Sequence, residues 1–168
     1  CIPIDPFYLT WKAREFDLTT RFIELAGEIN VQMPEYVVAR LRQAMDLRSQ
    51  RGLSGSRLLI VGIAYKKNVS DMRESPSMRL MEMLIEHGAS VDFHDPLVPE
   101  IPEMRNYPKF AGNRSVSVLQ CAGYDAVLIA TDHDTVDYQA IVQSGVLIVD
   151  TRNAIERRSL SMANVVKA

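Results

Sequence analysis

The sequence has few cysteines, no long apolar run and no excess of charge of one sign. Its 168 residues include only two cysteines, Cys1 and Cys121, which is too few for a disulfide framework and agrees with a reducing cytoplasm. No apolar stretch approaches the length of a membrane span, and no signal peptide is visible. The net charge of −2 gives no general attraction to nucleic acid or to a membrane surface. We therefore expect a cytoplasmic protein that binds neither, with any phosphate site being local.

The sequence also lacks a metal-binding pattern and a dinucleotide fingerprint. Its histidines His87, His94 and His133 are scattered, and no Cys/His cluster has ligand spacing, so no metal site is predicted. The turn that begins at Gly62 reads Gly-Ile-Ala-Tyr-Lys-Lys and not Gly-x-Gly-x-x-Gly. Asp95 matches the ribose-binding acid of dinucleotide folds in position only. These features do not predict a standard NAD site.

From residue 57 onward the sequence alternates apolar runs with helical periods. The apolar runs predict parallel strands near 58–62, 90–94, 126–130 and 146–149, and an edge strand at 165–166. The resulting fold class is α/β, a long central helix followed by a Rossmann-like doubly wound parallel sheet of strand order 2-1-3-4. Helices are predicted between the strands, near 76–87, 117–122 and 137–144.

A long apolar stripe precedes this sheet. Apolar residues recur at threes and fours from Phe22 to Met45, over about seven helical turns, and Pro34 is expected to kink or divide the helix. The stripe either bridges two domains, packs against a second copy of the chain, or is a core helix of one domain. Polar residues with two glycines follow, so a domain boundary is predicted near residue 50.

Basic side chains follow the predicted strands where those strands end. Lys66, Lys67 and Arg73 lie in the loop after strand one, and Arg152 follows strand four. The carboxyl ends of neighbouring parallel strands share one edge of the sheet, where such folds bind ligands. A lysine and an arginine that meet there suit a phosphate or pyrophosphate, although the same loop could be simply solvated. Tyr65 could stack on a base or belong to the core.

Three further residues have chemistry that the pattern leaves open. Cys1 could be a nucleophile, although a lone cysteine is more often a small buried apolar residue. Cys121 lies among apolar neighbours and is expected in the core. His133 lies between two aspartates and could be a general base or a hydrogen-bonded loop residue, and we favour the loop residue.

Three stretches together are similar to one known family. They are residues 1–9 (Cys-Ile-Pro-Ile-Asp-Pro-Phe-Tyr-Leu), residues 62–76 (Gly-Ile-Ala-Tyr-Lys-Lys-Asn-Val-Ser-Asp-Met-Arg-Glu-Ser-Pro) and residues 149–152 (Val-Asp-Thr-Arg). In this order and spacing they resemble the UDP-glucose/GDP-mannose dehydrogenase family. The likeness is strongest to its bacterial UDP-N-acetylglucosamine 6-dehydrogenase branch, which serves surface polysaccharide synthesis.

The resemblance implies a domain organisation. In that family an N-terminal domain binds NAD, a long central helix forms a homodimer, and a C-terminal domain binds the UDP-sugar substrate. By this likeness residues 1–50 are the end of the NAD domain plus the dimerisation helix, and residues 51–168 are the UDP-sugar-binding domain. The NAD domain proper is absent from the sequence, and we expect NAD to be bound mainly by that domain.

The resemblance also implies a reaction, the oxidation of the sugar C6 hydroxyl to a carboxylate with two NAD. Cys1 matches the catalytic cysteine, whose thiolate attacks the C6 aldehyde and later carries a thioester. Asp5 matches the catalytic aspartate that positions or activates water. The remaining matches are Tyr65, Lys66 and Arg152 on the substrate side and Arg73 on the NAD side.

The chain departs from the family upstream of Cys1, where the glycine-rich run and the partners of Asp5 are lost. We do not expect a terminal cysteine to keep its catalytic geometry, and we therefore expect the isolated 168-residue chain to be inactive. The alternative function is a stand-alone UDP-sugar-binding or dimerisation module without catalysis.

Overall fold

The computed structural model of the protein describes residues 5–168, so Cys1 lies outside the described residues. The chain divides into two compact units, of which the first ends at Tyr36 and the second begins at Val37. The second unit contains the sheet and all of the loops that follow its strands.

The first unit contains helix α1 (Asp5–Arg14) and the beginning of helix α2 (Arg21–Ser49). Helix α1 spans Asp5–Arg14, and the Thr10 hydroxyl donates to the carbonyl of Pro6 at 3.0 Å. The ring of Phe7 lies so close to Gly27 that a Cβ on Gly27 would approach it to 2.2 Å. The absence of a side chain at Gly27 therefore lets the two helices approach.

Helix α2 is continuous through Pro34, so of the two predicted alternatives, a kink or a division of the helix, the structure excludes the division. Proline removes the hydrogen bond to the carbonyl of Asn30, and because Asn30 is exposed, water can bond to that carbonyl instead. The apolar stripe has two different environments. Phe22 is 89% exposed, whereas Leu41 and Met45 are fully buried in the core of the sheet unit. That unit thus begins within α2, upstream of the predicted boundary near residue 50.

The sheet has five parallel strands, which confirms the predicted fold class and strand order. They are β1 (Arg57–Val61), β2 (Ser90–His94), β3 (Ala126–Ile129), β4 (Leu147–Asp150) and β5 (Val165–Lys167). Their order is β2-β1-β3-β4-β5, so the strand predicted at 165–166 is an edge strand. The buried runs of β3 and β4 are apolar on both faces because helices cover the sheet on both sides.

Alternate strand residues pack into two cores. Leu58, Ile60 and Leu128 face the second half of α2 and helix α3 (Pro76–Glu86). On the other face, Val127 and its neighbours pack with a 3₁₀ helix and with helix α4 (Tyr138–Gln143), which were predicted as short helices there. The 3₁₀ helix spans Val118–Gly123.

The strand register brings three loops to one edge. Val61 at the end of β1 pairs with Ile129 of β3, and Ile129 pairs with Asp150 at the end of β4. The loops that follow these strands therefore leave the sheet together. Helix α3 begins at the same edge, because Ser75 caps it and donates from its hydroxyl to the carbonyl of Ile63 at 2.7 Å.

Candidate anionic-ligand site

The turn after β1 is built around Gly62. Its φ of +81° lies in the left-handed region, and a Cβ there would approach the carbonyl oxygen of Thr131 to 2.0 Å. The hydroxyl of Thr131 donates to the carbonyl of Ala64 at 2.8 Å. Glycine at position 62 thus lets the loop after β3 lie directly on the loop after β1.

The carboxylate of Asp95 fills this turn. One oxygen accepts the N–H groups of Ile63 at 2.8 Å and Ala64 at 3.1 Å, and the other accepts those of Leu97 at 2.9 Å and Val98 at 3.1 Å. In a standard dinucleotide fold the N–H groups of the first turn bind the pyrophosphate. Here an internal carboxylate occupies them, so the turn does not fit a dinucleotide.

Burial of the Asp95 carboxyl favours its neutral form and acts to raise its pKa. The hydrogen bonds from His133 and from the N–H groups of Leu97 and Ile63 outweigh that effect, so the pKa of Asp95 lies below its usual value. Asp95 is therefore a buried carboxylate that ties the turn after β1 to the loop after β2.

His133 is a hydrogen-bonded loop residue, as we favoured from the sequence. Its side chain is fully buried, its Nε2 lies 3.1 Å from Asp95 Oδ2, and its Nδ1 accepts the N–H of Asn68 at 2.9 Å. A nitrogen that accepts an N–H carries no proton, so the ring is the neutral Nε2–H form and donates to Asp95. Both ring nitrogens are occupied, which leaves none for a substrate proton.

The two lysines of the β1 loop differ in their partners. The ammonium of Lys67 lies 2.6 Å from Asp134 and 3.9 Å from Asp132. Lys66 is exposed, and within the sheet unit no carboxylate lies within 4.0 Å of its ammonium group. The sequence does not distinguish the two lysines by charge, but within this unit the structure leaves Lys66 free and Lys67 paired.

Arg152 is likewise free of carboxylates while its neighbours are paired. Its Nε donates to the carbonyl of Ala130 at 2.7 Å, and no carboxylate of the sheet unit lies within 4.0 Å of its guanidinium. Arg157 instead pairs with Asp132 at 2.7 Å. Arg158 lies 3.4 Å from Asp134. The bond to Ala130 directs Arg152 from β4 toward the end of β3.

Lys66 and Arg152 therefore lie at the same edge of the sheet, each unpaired within the sheet unit while neighbouring cations are paired. Lys66 follows β1 and Arg152 follows β4, and the register of the strands places both loops at that edge. Half-buried Tyr65 precedes Lys66, and its N–H donates to the carbonyl of Asp71 at 2.7 Å. Two cations with a neighbouring aromatic ring suit a ligand that joins a diphosphate to a base.

Of the remaining predicted residues, Asp5 and Cys121 lie elsewhere in the chain, and the side chain of Arg73 is already paired with a carboxylate. Asp5 is exposed at the start of α1 in the first unit. The side chain of Arg73 is 87% exposed and forms a bidentate pair with Asp71, with bonds of 3.0 and 2.7 Å. This pair lowers the pKa of Asp71 to about 2. Cys121 is a core residue, as predicted, and burial raises the pKa of its thiol to about 11.

One residue of this edge, Asn68, was not singled out from the sequence. Asn68 has a φ of +60° and bonds reciprocally with Asp134, donating from Nδ2 to the carboxylate at 2.7 Å and accepting the Asp134 N–H at 3.0 Å. Lys67 and Asn68 together hold the pKa of Asp134 below its usual value. The available signal was an asparagine, a residue that tolerates the left-handed region, inside a loop that needs to turn.

The described residues contain neither a metal centre nor a membrane span. Across residues 5–168, no group of three or more His, Cys, Asp and Glu side chains is arranged to hold a metal ion. Over the same residues, no helix combines the length and the apolar character that crossing a membrane requires.

The doubly wound parallel sheet and the free cations at its carboxyl edge define an α/β domain of the class that binds ligands at the switch point of the sheet. Comparison with known protein families identifies this class further. Residues 59–157 match the model of the UDP-glucose/GDP-mannose dehydrogenase family, UDP binding domain. The chain belongs to this family, which confirms the resemblance found in the sequence.

Curated relatives carry related names. The chain is 30% identical over 164 residues to UDP-N-acetyl-D-mannosamine dehydrogenase of Methanococcus maripaludis, a match that covers 93% of this chain and 35% of that protein. It is 32% identical over 133 residues to UDP-N-acetyl-D-glucosamine 6-dehydrogenase of Pseudomonas aeruginosa, covering 79% of this chain and 30% of that protein. The chain thus spans about a third of the length of these relatives.

A solved structure is similar in fold. The UDP-D-ManNAc dehydrogenase of Pyrococcus horikoshii superposes with a TM-score of 0.73 at 28% identity. The superposition covers 92% of this chain and 34% of that one. The similarity therefore extends through almost all of this chain.

Proposed function

We propose that this chain is the UDP-sugar-binding part of an NAD-dependent nucleotide-sugar 6-dehydrogenase. The enzyme would oxidise the C6 hydroxyl of a UDP-hexose, UDP-N-acetylglucosamine by the resemblance, to a carboxylate for surface polysaccharide synthesis. Residues 51–168 would bind the UDP-sugar, and residues 1–50 would complete the NAD domain and supply the dimerisation helix.

The observation that carries this proposal is the difference between paired and free cations. Lys67, Arg157 and Arg158 are each paired with Asp132 or Asp134, whereas within the sheet unit Lys66 and Arg152 have no carboxylate partner and are available to a ligand. In our proposal Lys66 and Arg152 bind the diphosphate. The arginine adds a planar fork that matches two phosphate oxygens.

Tyr65 would contact the nucleoside. It is half-buried and directly precedes Lys66, and its backbone is fixed by the bond to Asp71. An aromatic side chain that is partly buried and held in place offers a face for a base at little cost in conformational entropy.

The chain itself does not fit NAD at the turn where a dinucleotide would bind. Asp95 occupies the N–H groups of Ile63 and Ala64, and a second carboxylate or phosphate cannot use the same donors. We therefore expect NAD to be bound mainly outside the residues of this chain. Arg73 is the one residue that we propose to contact it, after exchanging Asp71 for a phosphate.

The roles of Cys1 and Asp5 are proposals that come from the resemblance. Cys1 would be the nucleophile toward the C6 aldehyde and Asp5 would position water for release of the carboxylate. Asp5 is exposed at the first turn of α1, where a carboxylate is favoured by the helix dipole.

The partner in assembly would be a second copy of the chain, bound through α2. The first half of the apolar stripe is exposed, at 89% for Phe22, 51% for Leu25 and 53% for Ile29. Exposed apolar residues at helical spacing favour helix-to-helix association. Sedimentation of the 168-residue chain as a dimer would support this contact, and a monomer at high concentration would count against it.

Calorimetric titration of the chain with UDP, uridine and NAD tests the proposed ligand. We expect UDP to bind, uridine to bind more weakly because it lacks the diphosphate, and NAD to give no measurable heat. Equal affinity for UDP and uridine would contradict a diphosphate site, and binding of NAD in preference to UDP would contradict the assignment of the ligand.

The same titration bears on the alternative of a UDP-sugar-binding or dimerisation module without catalysis. For the isolated chain, both hypotheses expect UDP binding without production of NADH from UDP-N-acetylglucosamine. NADH production by the 168 residues alone would exclude the module and would also contradict our expectation that this chain is inactive by itself.

A further inference from the structure

The loop that contains Lys66 is exposed over most of its length. Residues 66–70 are all exposed, so few apolar contacts hold this stretch in place. A cation on a mobile loop binds a diphosphate weakly, because fixing the loop costs conformational entropy. The affinity of Lys66 for a diphosphate therefore depends on the contacts that fix this loop.

Lys66 lies between two anchored positions. On one side, the N–H of Tyr65 donates to the carbonyl of Asp71 at 2.7 Å and closes the loop on itself. On the other side, Asn68 makes three hydrogen bonds to the loop after β3. Its N–H donates to His133 and its side chain bonds reciprocally with Asp134.

Buried groups hold the partners of Asn68 in place. His133 has no exposed surface, and its neutral ring receives the Asn68 N–H because its other nitrogen donates to Asp95. Asp95 is itself held by four backbone N–H groups of the loops after β1 and β2. A continuous set of bonds thus leads from the rigid end of the sheet to the residue two positions after Lys66.

We propose that Asn68 is a positioning residue that fixes Lys66 for the diphosphate through its reciprocal pair with Asp134 and its bond to His133. This inference rests on the proposed function, since it assumes that Lys66 binds the diphosphate. Asn68 does not itself touch the ligand. Asparagine suits the position for two reasons, because its amide both donates and accepts and because it tolerates the φ of +60°.

A double-mutant cycle with UDP as the probe tests this inference. Asn68→Asp keeps the shape of the side chain but places a second carboxylate against Asp134, and we expect UDP affinity to fall about tenfold. Asp134→Asn retains an acceptor for the Asn68 amide and also releases Lys67 and Arg158 from this carboxylate, so we expect UDP affinity to fall by no more than about threefold. The double variant N68D/D134N restores a donor opposite an acceptor and should recover affinity to within about threefold of the wild type.

Two controls separate positioning from general damage. Asn164→Asp makes the same chemical change next to the start of β5, where the Asn164 amide donates to the carbonyl of Gly145 at 3.0 Å, and UDP affinity should stay unchanged. Asn68→Gly removes the amide at a backbone conformation that glycine accepts, so it should fold and still lose UDP affinity severalfold. Thermal unfolding of each variant reports folding independently.

The results distinguish failure of the positioning role of Asn68 from failure of the proposed function. If N68D and N68G bind UDP as tightly as the wild type while Lys66→Ala binds weakly, the positioning role is wrong and the diphosphate site stands. If N68D and the double variant are equally weak, the reciprocal pair is not what matters and the inference is overturned. If the wild type does not bind UDP, both the function and this role are refuted.

Discussion

At Gly62 the neighbouring backbone limits which residue the candidate site can accept. Its φ is +81°, and a Cβ at this position would come within 2.0 Å of the carbonyl oxygen of Thr131, which leaves no room for a side chain. The space is limited by backbone, which cannot rotate away as a flexible side chain would. Any larger residue must push the loop after β3 away from the loop after β1.

Replacement of Gly62 by alanine is therefore expected to lower the free energy of unfolding by at least about 3 kcal/mol, from the clash together with the strained φ. Gly145→Ala is the matched control, because Gly145 has a φ of +74° with open space around it. This control should cost about 1 to 2 kcal/mol. Chemical denaturation of the two variants measures both, and equal losses would show that the contact with Thr131 is unimportant.

Asp95 is the buried charge of the site, and its effect depends on pH. Its pKa in the folded protein lies below its usual value, so the unfolded chain takes up the proton first as the pH falls. The stabilisation is fully present above the pKa of the unfolded chain, about 4, and is lost as the pH falls through the lower folded value.

Asp95→Asn is expected to lower the free energy of unfolding at neutral pH by about 3 kcal/mol. Each carboxylate oxygen of Asp95 accepts backbone N–H groups, and in the variant the amide nitrogen, which is itself a donor, would replace one of these oxygens. The variant should also show a shallower loss of stability below about pH 4 than the wild type. Asp46→Asn, at an exposed position of α2, removes the same charge as a control. Acid unfolding curves that coincide for wild type and D95N would refute this role of Asp95.

The sequence predicted which kinds of side chain lie at the site, but it did not predict which groups those side chains bond to. Lys66 and Arg152 could be placed at one edge because each follows a strand, which is a local property. The pairing of Lys67 with Asp134, and the bonds that join Asp95, His133 and Asn68, depend on loops that are distant along the chain. Hydrogen-bond geometry of this kind has no local signal, so the structure was needed to separate the free lysine from the paired one.

At the scale of elements, helix α2 contains two surfaces in one continuous helix. Its apolar period continues from Phe22 to Met45, but the burial of the apolar side chains changes along its length, from exposed in the first half to buried in the second. The second half packs on the sheet beside α3, which explains why the sheet unit begins at Val37. Periodicity identifies an apolar face but does not identify what covers it, and the predicted boundary near residue 50 followed from composition alone.

Two leucine variants distinguish these surfaces. Leu41→Ala should destabilise the chain by about 2 to 5 kcal/mol, because Leu41 is fully buried and its truncation leaves a cavity. Leu25→Ala, at a side chain that is 51% exposed, should change the unfolding free energy of the monomer by less than about 0.5 kcal/mol. Denaturation at low protein concentration measures both, and similar losses at the two positions would contradict this division of the helix.

At the scale of the whole molecule, the strand order could be predicted because alternating strands and helices in this pattern allow few topologies. The parallel order β2-β1-β3-β4-β5 then places the loops after β1, β3 and β4 at one edge without further assumptions. The family match to residues 59–157 covers the same part of the chain, from β1 through the loop after β4. The matched residues therefore include both of the loops in which we propose the diphosphate contacts.

The central claim is that Lys66 and Arg152 bind the diphosphate of a nucleotide sugar, and calorimetric titration of point variants with UDP tests it most directly. We expect Lys66→Ala and Arg152→Ala each to weaken UDP binding by about tenfold or more, since each removes a charge-assisted contact. Lys109→Ala, whose ammonium pairs with Glu82 at 2.9 Å, should bind UDP as the wild type does. Undiminished UDP affinity in both the Lys66 and the Arg152 variants would contradict the account.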